Sequence, residues 1–439
     1  MNTEKISLRT NSIQKPSTYT FIDLFAGCGG LSLGLMKGGW VGLLAIEKNR
    51  DAFKTLSHNL IEKENKSQDK PYLQWPNWLE KKPFEIRKFI KDYRWQLDSL
   101  RGKVCLVAGG PPCQGFSLAG KRTGRDRRNN LFKLQLEIVD ILKPKLVLME
   151  NVQGINAIFG GKEIGKRRNR GKPRKSYSTK IREALSNHGY LVQQELIKAS
   201  DFGVPQYRPR YFTVGVREDL FSESQVPDFF QILSGVRRNF LTSKRLPLKR
   251  SVTVAEAISD LRSEFAEITE CSDPDSPSGF KEIVYKKPST QYQKLMHKGL
   301  NGHQPNSLRL VNHRPDTVSR FKAILRTCQK GVSVPDSERV RLGIGKQLIV
   351  PLSPDLPSRT LTTLPDDLLH YAEPRVHTVR ESARLQSFPD WFEFHGKFTT
   401  GGNRRAKDCP RYTQVGNAVP PLLAEAIGIA MRELLIKND

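Results

Sequence analysis

One short stretch holds the side chain best suited to covalent chemistry. Gly109-Gly110-Pro111-Pro112 is followed at once by Cys113-Gln114-Gly115-Phe116-Ser117. A thiolate is the most nucleophilic side chain available near neutral pH. The apolar run Val104-Cys105-Leu106-Val107-Ala108 leads into the motif and reads as a buried strand, which the glycines and prolines must end. A cysteine is thereby displayed at the carboxyl end of a strand, where open α/β sheets bind ligands. A buried structural thiol is the other reading of an isolated cysteine, and the motif alone leaves both open. Three further groups have types and positions suited to a site. Glu150-Asn151 ends the apolar run Leu146–Met149. Arg208 and Arg210 alternate on an expected strand and so share a face, where they could pair with phosphate or carboxylate. Glu47 ends the run Val41–Ile46, the position from which a carboxylate accepts hydrogen bonds from ribose hydroxyls.

These groups need a scaffold, and the hydrophobic pattern supplies one. Thr18 to Phe25 is an apolar, β-branched and aromatic run that enters Ala26-Gly27-Cys28-Gly29-Gly30, and a helix starts at Leu31. Val41 to Ile46 is the next strand, and Ala52, Phe53, Leu56 and Leu60 share a helical face. Strand, glycine turn, helix, strand and acid in that order match the plan of an adenine-nucleotide site. Leu131 to Leu142 is an expected helix ending before Pro144. The alternation of helices and strands predicts a doubly wound, mostly parallel α/β sheet. Residues 62–82 read as a polar loop insertion, and 160–175 as a Gly-, Lys- and Arg-rich mobile loop. After Arg217 the rhythm fades, and 218–357 reads as irregular; amphipathic helix returns at 420–435. The expected division is a discontinuous catalytic, cofactor-binding domain of 18–217 plus 411–439, a smaller irregular domain of 218–410, and a flexible tail of 1–17.

Composition narrows the partners. Lys plus Arg number 72 against 45 Asp plus Glu, a net charge of +27, which predicts salt-dependent attraction to a polyanion. No apolar stretch approaches the length of a membrane span, and no amphipathic basic helix or lipidation signal points to a bilayer. The six scattered cysteines have no paired zinc spacing and suit free thiols in a reducing cytoplasm.

Taken as an ordered set, the motifs resemble those of the cytosine carbon-5 DNA methyltransferases. The blocks are Phe21-Ile22-Asp23-Leu24-Phe25-Ala26-Gly27-Cys28-Gly29-Gly30-Leu31; Gly109 to Ser117; Glu150-Asn151-Val152; Gln206-Tyr207-Arg208-Pro209-Arg210; Arg359 to Thr363 with Thr378 to Pro389; and Gln414-Val415-Gly416-Asn417-Ala418-Val419-Pro420-Pro421. Together they cover nearly the whole chain outside the inserts and the middle of the second domain. One departure is visible: the family's Asp-Ile pair after the third strand is matched here by Glu85-Ile86.

The resemblance implies an S-adenosylmethionine-dependent fold of Rossmann-like type with a small target-recognition domain. It implies catalysis by Cys113, Glu150, Arg208 and Arg210, in which Cys113 adds to a flipped-out cytosine, Glu150 serves ring nitrogen 3 and Arg210 lies near the base carbonyl oxygen. The methyl donor would be bound by Phe25, Ala26, Gly27, Gly29, Leu31, Glu47, Glu85, Pro112, Asn417 and Val419, with no metal. Gln114, Ser117, Lys121, Arg122, Arg125 and Arg127 would contact DNA from a basic loop that closes over the base. Double-stranded DNA is the implied partner, with a separately acting restriction endonuclease as a further one. A cytoplasmic, nucleoid-associated monomer is expected. Three other readings stand beside this one. An RNA cytosine methyltransferase would carry related chemistry on a more compact target region. A binding-only relative would have lost the nucleophile or the acid, and both are present. A nicotinamide dehydrogenase would explain the glycine turn and Glu47 but not Pro111-Pro112-Cys113-Gln114.

Overall fold

The computed structural model describes residues 18–62, 72–112, 131–156, 175–221, 226–399 and 408–436. The expected tail, the 160–174 loop and the basic loop with Cys113 lie outside the described residues.

The main sheet is built from β1 (Thr20–Leu24), β2 (Val41–Ile46), β3 (Leu106–Gly109), β4 (Leu146–Val152), β5 (Tyr190–Lys198) and β6 (Pro209–Arg217). Its spatial order is β2-β1-β3-β4-β6-β5. The first four strands run parallel, and β6 is antiparallel to both of its neighbours. Between and after them lie α1 (Gly30–Lys37), α2 (Arg50–Ser57), α3 (Ile86–Asp92), α4 (Arg94–Ser99), α5 (Leu131–Leu142) and α6 (Tyr177–Ser186). The chain continues through α7 (Phe229–Ser243), α8 (Val254–Ile258), a short hairpin of β7 (Glu267–Glu270) and β8 (Lys281–Val284), then α9 (Gln291–His297), α10 (Pro315–Thr327) and α11 (Asp336–Arg341). It closes with α12 (Val379–Leu385), α13 (Arg411–Asn417) and α14 (Pro421–Ile436).

Strand periodicity explains the two layers of helices. Successive side chains on a strand point to opposite faces. On one face Phe21, Ala45, Leu106, Ala108, Leu146 and Leu148 join a core with α1, α2, α7 and α14. On the other, Ile22, Leu24, Leu44, Ile46, Val107, Val147 and Met149 pack with α3, α4, α5 and α6. Both faces are covered, so the central strands read as continuous apolar runs. Each fully buried Leu, Ile or Phe contributes roughly 1.5–3 kcal/mol relative to exposure.

The expectation of an irregular 218–357 is corrected. That stretch contains α7 to α11, and α7 presents Phe229, Leu233, Val236 and Phe240 to the same core as α14. The apolar spacing of α7 was masked by the basic and polar residues around it. Two small separate cores sit farther along, one around Phe321, Ile324 and Ile349, the other around Leu261, Ile283 and Leu308. Residues 72–82 have no regular element but bury Leu73 and Leu79, so that part of the expected insertion is anchored rather than free.

Candidate active site

Parallel strands bring their carboxyl ends to one edge, and most of the expected site residues follow those ends. Leu24 pairs with Gly109, and Gly109 pairs with Met149. The turns after β1, β3 and β4 therefore emerge side by side. The glycine turn after β1 has three left-handed residues, Phe25 (φ 61°), Gly27 (φ 58°) and Gly29 (φ 96°). For Phe25 that conformation is costly, of order 1–3 kcal/mol, and such residues gather where a ligand is gripped. A β-carbon placed on Gly27 would meet nothing within 4 Å, so the turn has open space above it.

Glu47, at the end of β2, faces this turn. Its carboxylate accepts hydrogen bonds from the Gly27 amide at 3.0 Å and the Asn49 amide at 2.6 Å. Burial pushes its pKa up, against those two backbone donors. The Phe84 amide donates to the Glu47 carbonyl at 2.8 Å, which holds the neighbouring Glu85 close by. Glu85 itself is exposed and caps α3 by accepting from the Lys88 amide. Ala26 and Leu31 are buried beneath the turn.

The last block returns to this place. A β-carbon on Gly30 would lie 2.5 Å from the Val419 carbonyl oxygen, so only glycine allows α1 to approach Val419 this closely. Val419 is buried, while Asn417, at the end of α13, is exposed.

The acid is positioned by the reversal of β6. Because β6 is antiparallel to β4, its first residues meet the carboxyl end of β4, and Arg210 pairs with Val152. Arg210 Nε lies 2.9 Å from Glu150 Oε1. Both side chains are largely buried. Burial lowers the Arg210 pKa, and the Glu150 charge opposes that shift. A β-carbon on Gly110 would sit 3.2 Å from Glu150 Oε2. The Gly110-Pro111-Pro112 turn thus runs against the carboxylate and ends, with Pro112 partly exposed, at the residue preceding Cys113. Cys113, Gln114, Ser117, Lys121, Arg122, Arg125 and Arg127 lie outside the described residues.

The shared role inferred for the two arginines is narrowed. Arg210 bonds Glu150, whereas Arg208 is only 1% exposed and is committed to backbone carbonyls. It donates to Leu361 at 3.3 Å, Gly416 at 2.8 Å and Ala418 at 2.9 Å. The reason is local: the 359–363 and 415–420 segments are partly non-helical, and their buried carbonyls need donors. Gln206 and Gln386 complete the same network. Gln206 donates to Gln386 at 2.6 Å and accepts from the Leu361 amide, and Gln386 donates to the Val415 and Ala418 carbonyls. Three motif blocks are thereby joined in one buried polar hub. Removing its cation would leave two or more carbonyls short of a partner. Arg208→Ala should therefore destabilise the protein by about 3 kcal/mol, measured by urea unfolding with an unchanged m-value. A loss below about 0.5 kcal/mol would contradict a structural role for this side chain.

Asp23 is a residue the motif reading passed over. It is fully buried behind the glycine turn and accepts from Ser32 Oγ at 2.6 Å. Burial raises its pKa to about 7, with Glu47 adding to the shift. Its protonated form therefore stabilises the fold fully below about pH 4, and that contribution is lost as pH rises through about 7. An acid inside an otherwise apolar strand was the available signal.

Comparison with known proteins shows the family. Residues 19–433 match the family model described as C-5 cytosine-specific DNA methylase. The chain is 33% identical to the type II methyltransferase M.DdeI of Desulfomicrobium norvegicum over 416 residues, 92% of this chain and 86% of that protein. It is 31% identical to M.XorII of Xanthomonas oryzae pv. oryzae, covering 95% of this chain and 85% of that one. In fold it is similar to the crystal structure of a DNA modification methyltransferase encoded within an E. coli prophage. The TM-score is 0.58 at 24% identity, over 95% of this chain and 100% of that chain.

Proposed function

The chain belongs to the C-5 cytosine-specific DNA methylases, and from that premise we propose that it methylates one cytosine of a specific duplex word through a covalent Cys113 adduct. As a member of this family it is a DNA (cytosine-5-)-methyltransferase that depends on S-adenosylmethionine. The observation that carries the finer reading is the meeting of Glu47, the glycine turn, the Gly110-Pro111-Pro112 turn and the Glu150–Arg210 pair at one sheet edge.

The residues fit the cofactor. The open space above Gly27, the strained Phe25 backbone and the Glu47 carboxylate make a cradle for an adenosine with free ribose hydroxyls. Phe25, Ala26, Gly27, Gly29 and Leu31 would line it, with Glu85, Pro112, Asn417 and Val419 at its margins. S-adenosylmethionine, when bound, supplies the electrophilic methyl group. The protein's own part is to make cytosine a nucleophile. The Cys113 thiolate bonds to ring carbon 6, and the displaced π electrons build negative charge toward carbon 5 and nitrogen 3. Glu150 donates a proton or hydrogen bond at nitrogen 3, which Arg210 helps by fixing the carboxyl group. Carbon 5 then takes the methyl group, a base removes the carbon-5 proton, and the electron pair expels Cys113. Such an attack requires the base to leave the duplex stack. The basic loop with Gln114, Ser117, Lys121, Arg122, Arg125 and Arg127 follows the nucleophile directly and is proposed to close on DNA. Arg208 we assign to positioning the last block rather than to the base.

The proposed division keeps 18–217 with 411–439 as the catalytic domain and places word readout within 218–410. The packing of α7 on α14 ties the start of that region to the catalytic core, and the two small cores around Phe321 and Leu261 favour 262–357 as the readout segment. The likeness to type II methyltransferases supports a role beside a separately acting restriction endonuclease; that the methylase acts as a monomer is part of the proposal. Bisulfite sequencing of DNA from cells expressing the chain tests the reading. Protected cytosines should fall in one short word, and exchanging 262–357 with that of a relative should change the word but not the modified atom. Absence of protected cytosines, or an unchanged word after a folded exchange, would refute the respective assignment.

A further inference from the structure

Away from the sheet edge, three metal-competent side chains from distant parts of the chain converge. His58 opens the π-helical turn His58–Glu62 that continues α2, and Glu393 and His395 lie on the extended segment after Trp391-Phe392. His58 Nε2 is 3.0 Å and His395 Nε2 3.9 Å from Glu393 Oε2. The imidazole centroids are 4.3 Å apart with the rings inclined at 58°. All three ligand atoms lie within 4.8 Å of one another. Neither Nε2 atom has a hydrogen-bond partner although both are shielded from solvent, and the short His58–Glu393 approach is not directed as a hydrogen bond. Buried ring nitrogens without a partner are costly unless something else uses their lone pairs.

We propose that His58, Glu393 and His395 bind a divalent transition cation of the zinc class. Four-coordinate zinc with bonds near 2.0–2.1 Å places its ligand atoms roughly 3.3 Å apart, between the two separations seen here. Two imidazoles and one carboxylate suit zinc, cobalt or nickel rather than magnesium or calcium. The partial exposure of the three side chains leaves the solvent side for a fourth ligand. Nearby positive charge is already answered: Lys54 pairs with Asp275, and Arg411 with Asp273 and Asp275. The backbone around the site is held independently, by His395 N donating to Thr55 Oγ1 at 2.9 Å and Glu393 N to Asn59 Oδ1 at 2.9 Å. The ligands are thus presented on a preformed frame. The cation would clamp α2 to 393–395. Because α2 starts at the Asn49 cap, two residues after Glu47, the clamp steadies the helix that leaves the cofactor carboxylate.

The test uses the full-length protein stripped with a chelator and titrated with Co2+. One equivalent should bind with the visible d–d bands of a four-coordinate nitrogen–oxygen site and without thiolate-to-metal charge transfer. That spectrum needs no variant. At a hundredfold excess of Co2+ over Kd the unfolding midpoint should rise by about 3 °C. His58→Ala with His395→Ala should remove the bound equivalent, and the milder Glu393→Gln should weaken affinity at least about tenfold. No stoichiometric binding, a thiolate charge-transfer band, or an unchanged equivalent in the double variant would each overturn the proposal.

Discussion

A duplex with 5-fluorocytosine at the target position of the recognised word will stay attached to the wild-type protein through denaturation. Cys113→Ser will leave no such band. Elimination of Cys113 requires loss of the hydrogen on carbon 5, and fluorine cannot leave as a proton. Methyl transfer still proceeds, so the adduct accumulates and its formation requires S-adenosylmethionine. On natural DNA the same substitution should lower turnover on the order of 10⁴-fold or more, because a serine hydroxyl is a far weaker nucleophile than the thiolate the proposed addition requires. Specific DNA affinity should remain, since it arises from many phosphate and base contacts. Denaturing gels and filter binding on the two proteins measure both halves. Near-normal turnover in Cys113→Ser, or an active wild type that never yields the adduct, would remove thiolate addition from the mechanism. Preferential trapping on fluorinated RNA would instead move the substrate.

The second large effect is expected at Glu150. Glu150→Gln keeps the size of the side chain and an oxygen able to accept from Arg210 Nε, now 2.9 Å away. It removes the proton proposed to pass to ring nitrogen 3. Single-turnover methylation should fall roughly 10²–10⁴-fold, the usual weight of a general acid. Binding of S-adenosylmethionine should change little, because Glu47 follows β2 and the glycine turn follows β1, and β3 separates both from Glu150 on β4. The fluorocytosine adduct should form more slowly by a similar factor, which separates a chemical role from a merely structural one. A rate within about threefold of wild type would show that Glu150 serves only to hold Arg210.

Local pattern was enough for the parallel half of the fold. The apolar runs Thr18–Phe25, Val41–Ile46, Val104–Ala108 and Leu146–Met149 appear as β1 to β4, the last continuing through Glu150 to Val152, and the covered sheet follows from their apolar character. The glycine turn and Glu47 were legible for the same reason: a left-handed turn and a strand-end carboxylate depend on residues next to one another in the chain. The Thr378–Glu381 capping box is equally local.

The tertiary structure decided what depends on long-range partners. Only the antiparallel sense of β6 sets Arg210 against Glu150, and no spacing between residues 150 and 210 encodes that sense. Arg208 became the centre of a hub because carbonyls 153 to 210 residues away lack helical partners. The α7 helix joined the main core because its apolar face meets α14, about two hundred residues later in the chain. His58 meets Glu393 and His395 for the same reason. Side-chain type sets which chemistry is possible, but the donors and charges within reach of a buried group are chosen by how distant segments pack.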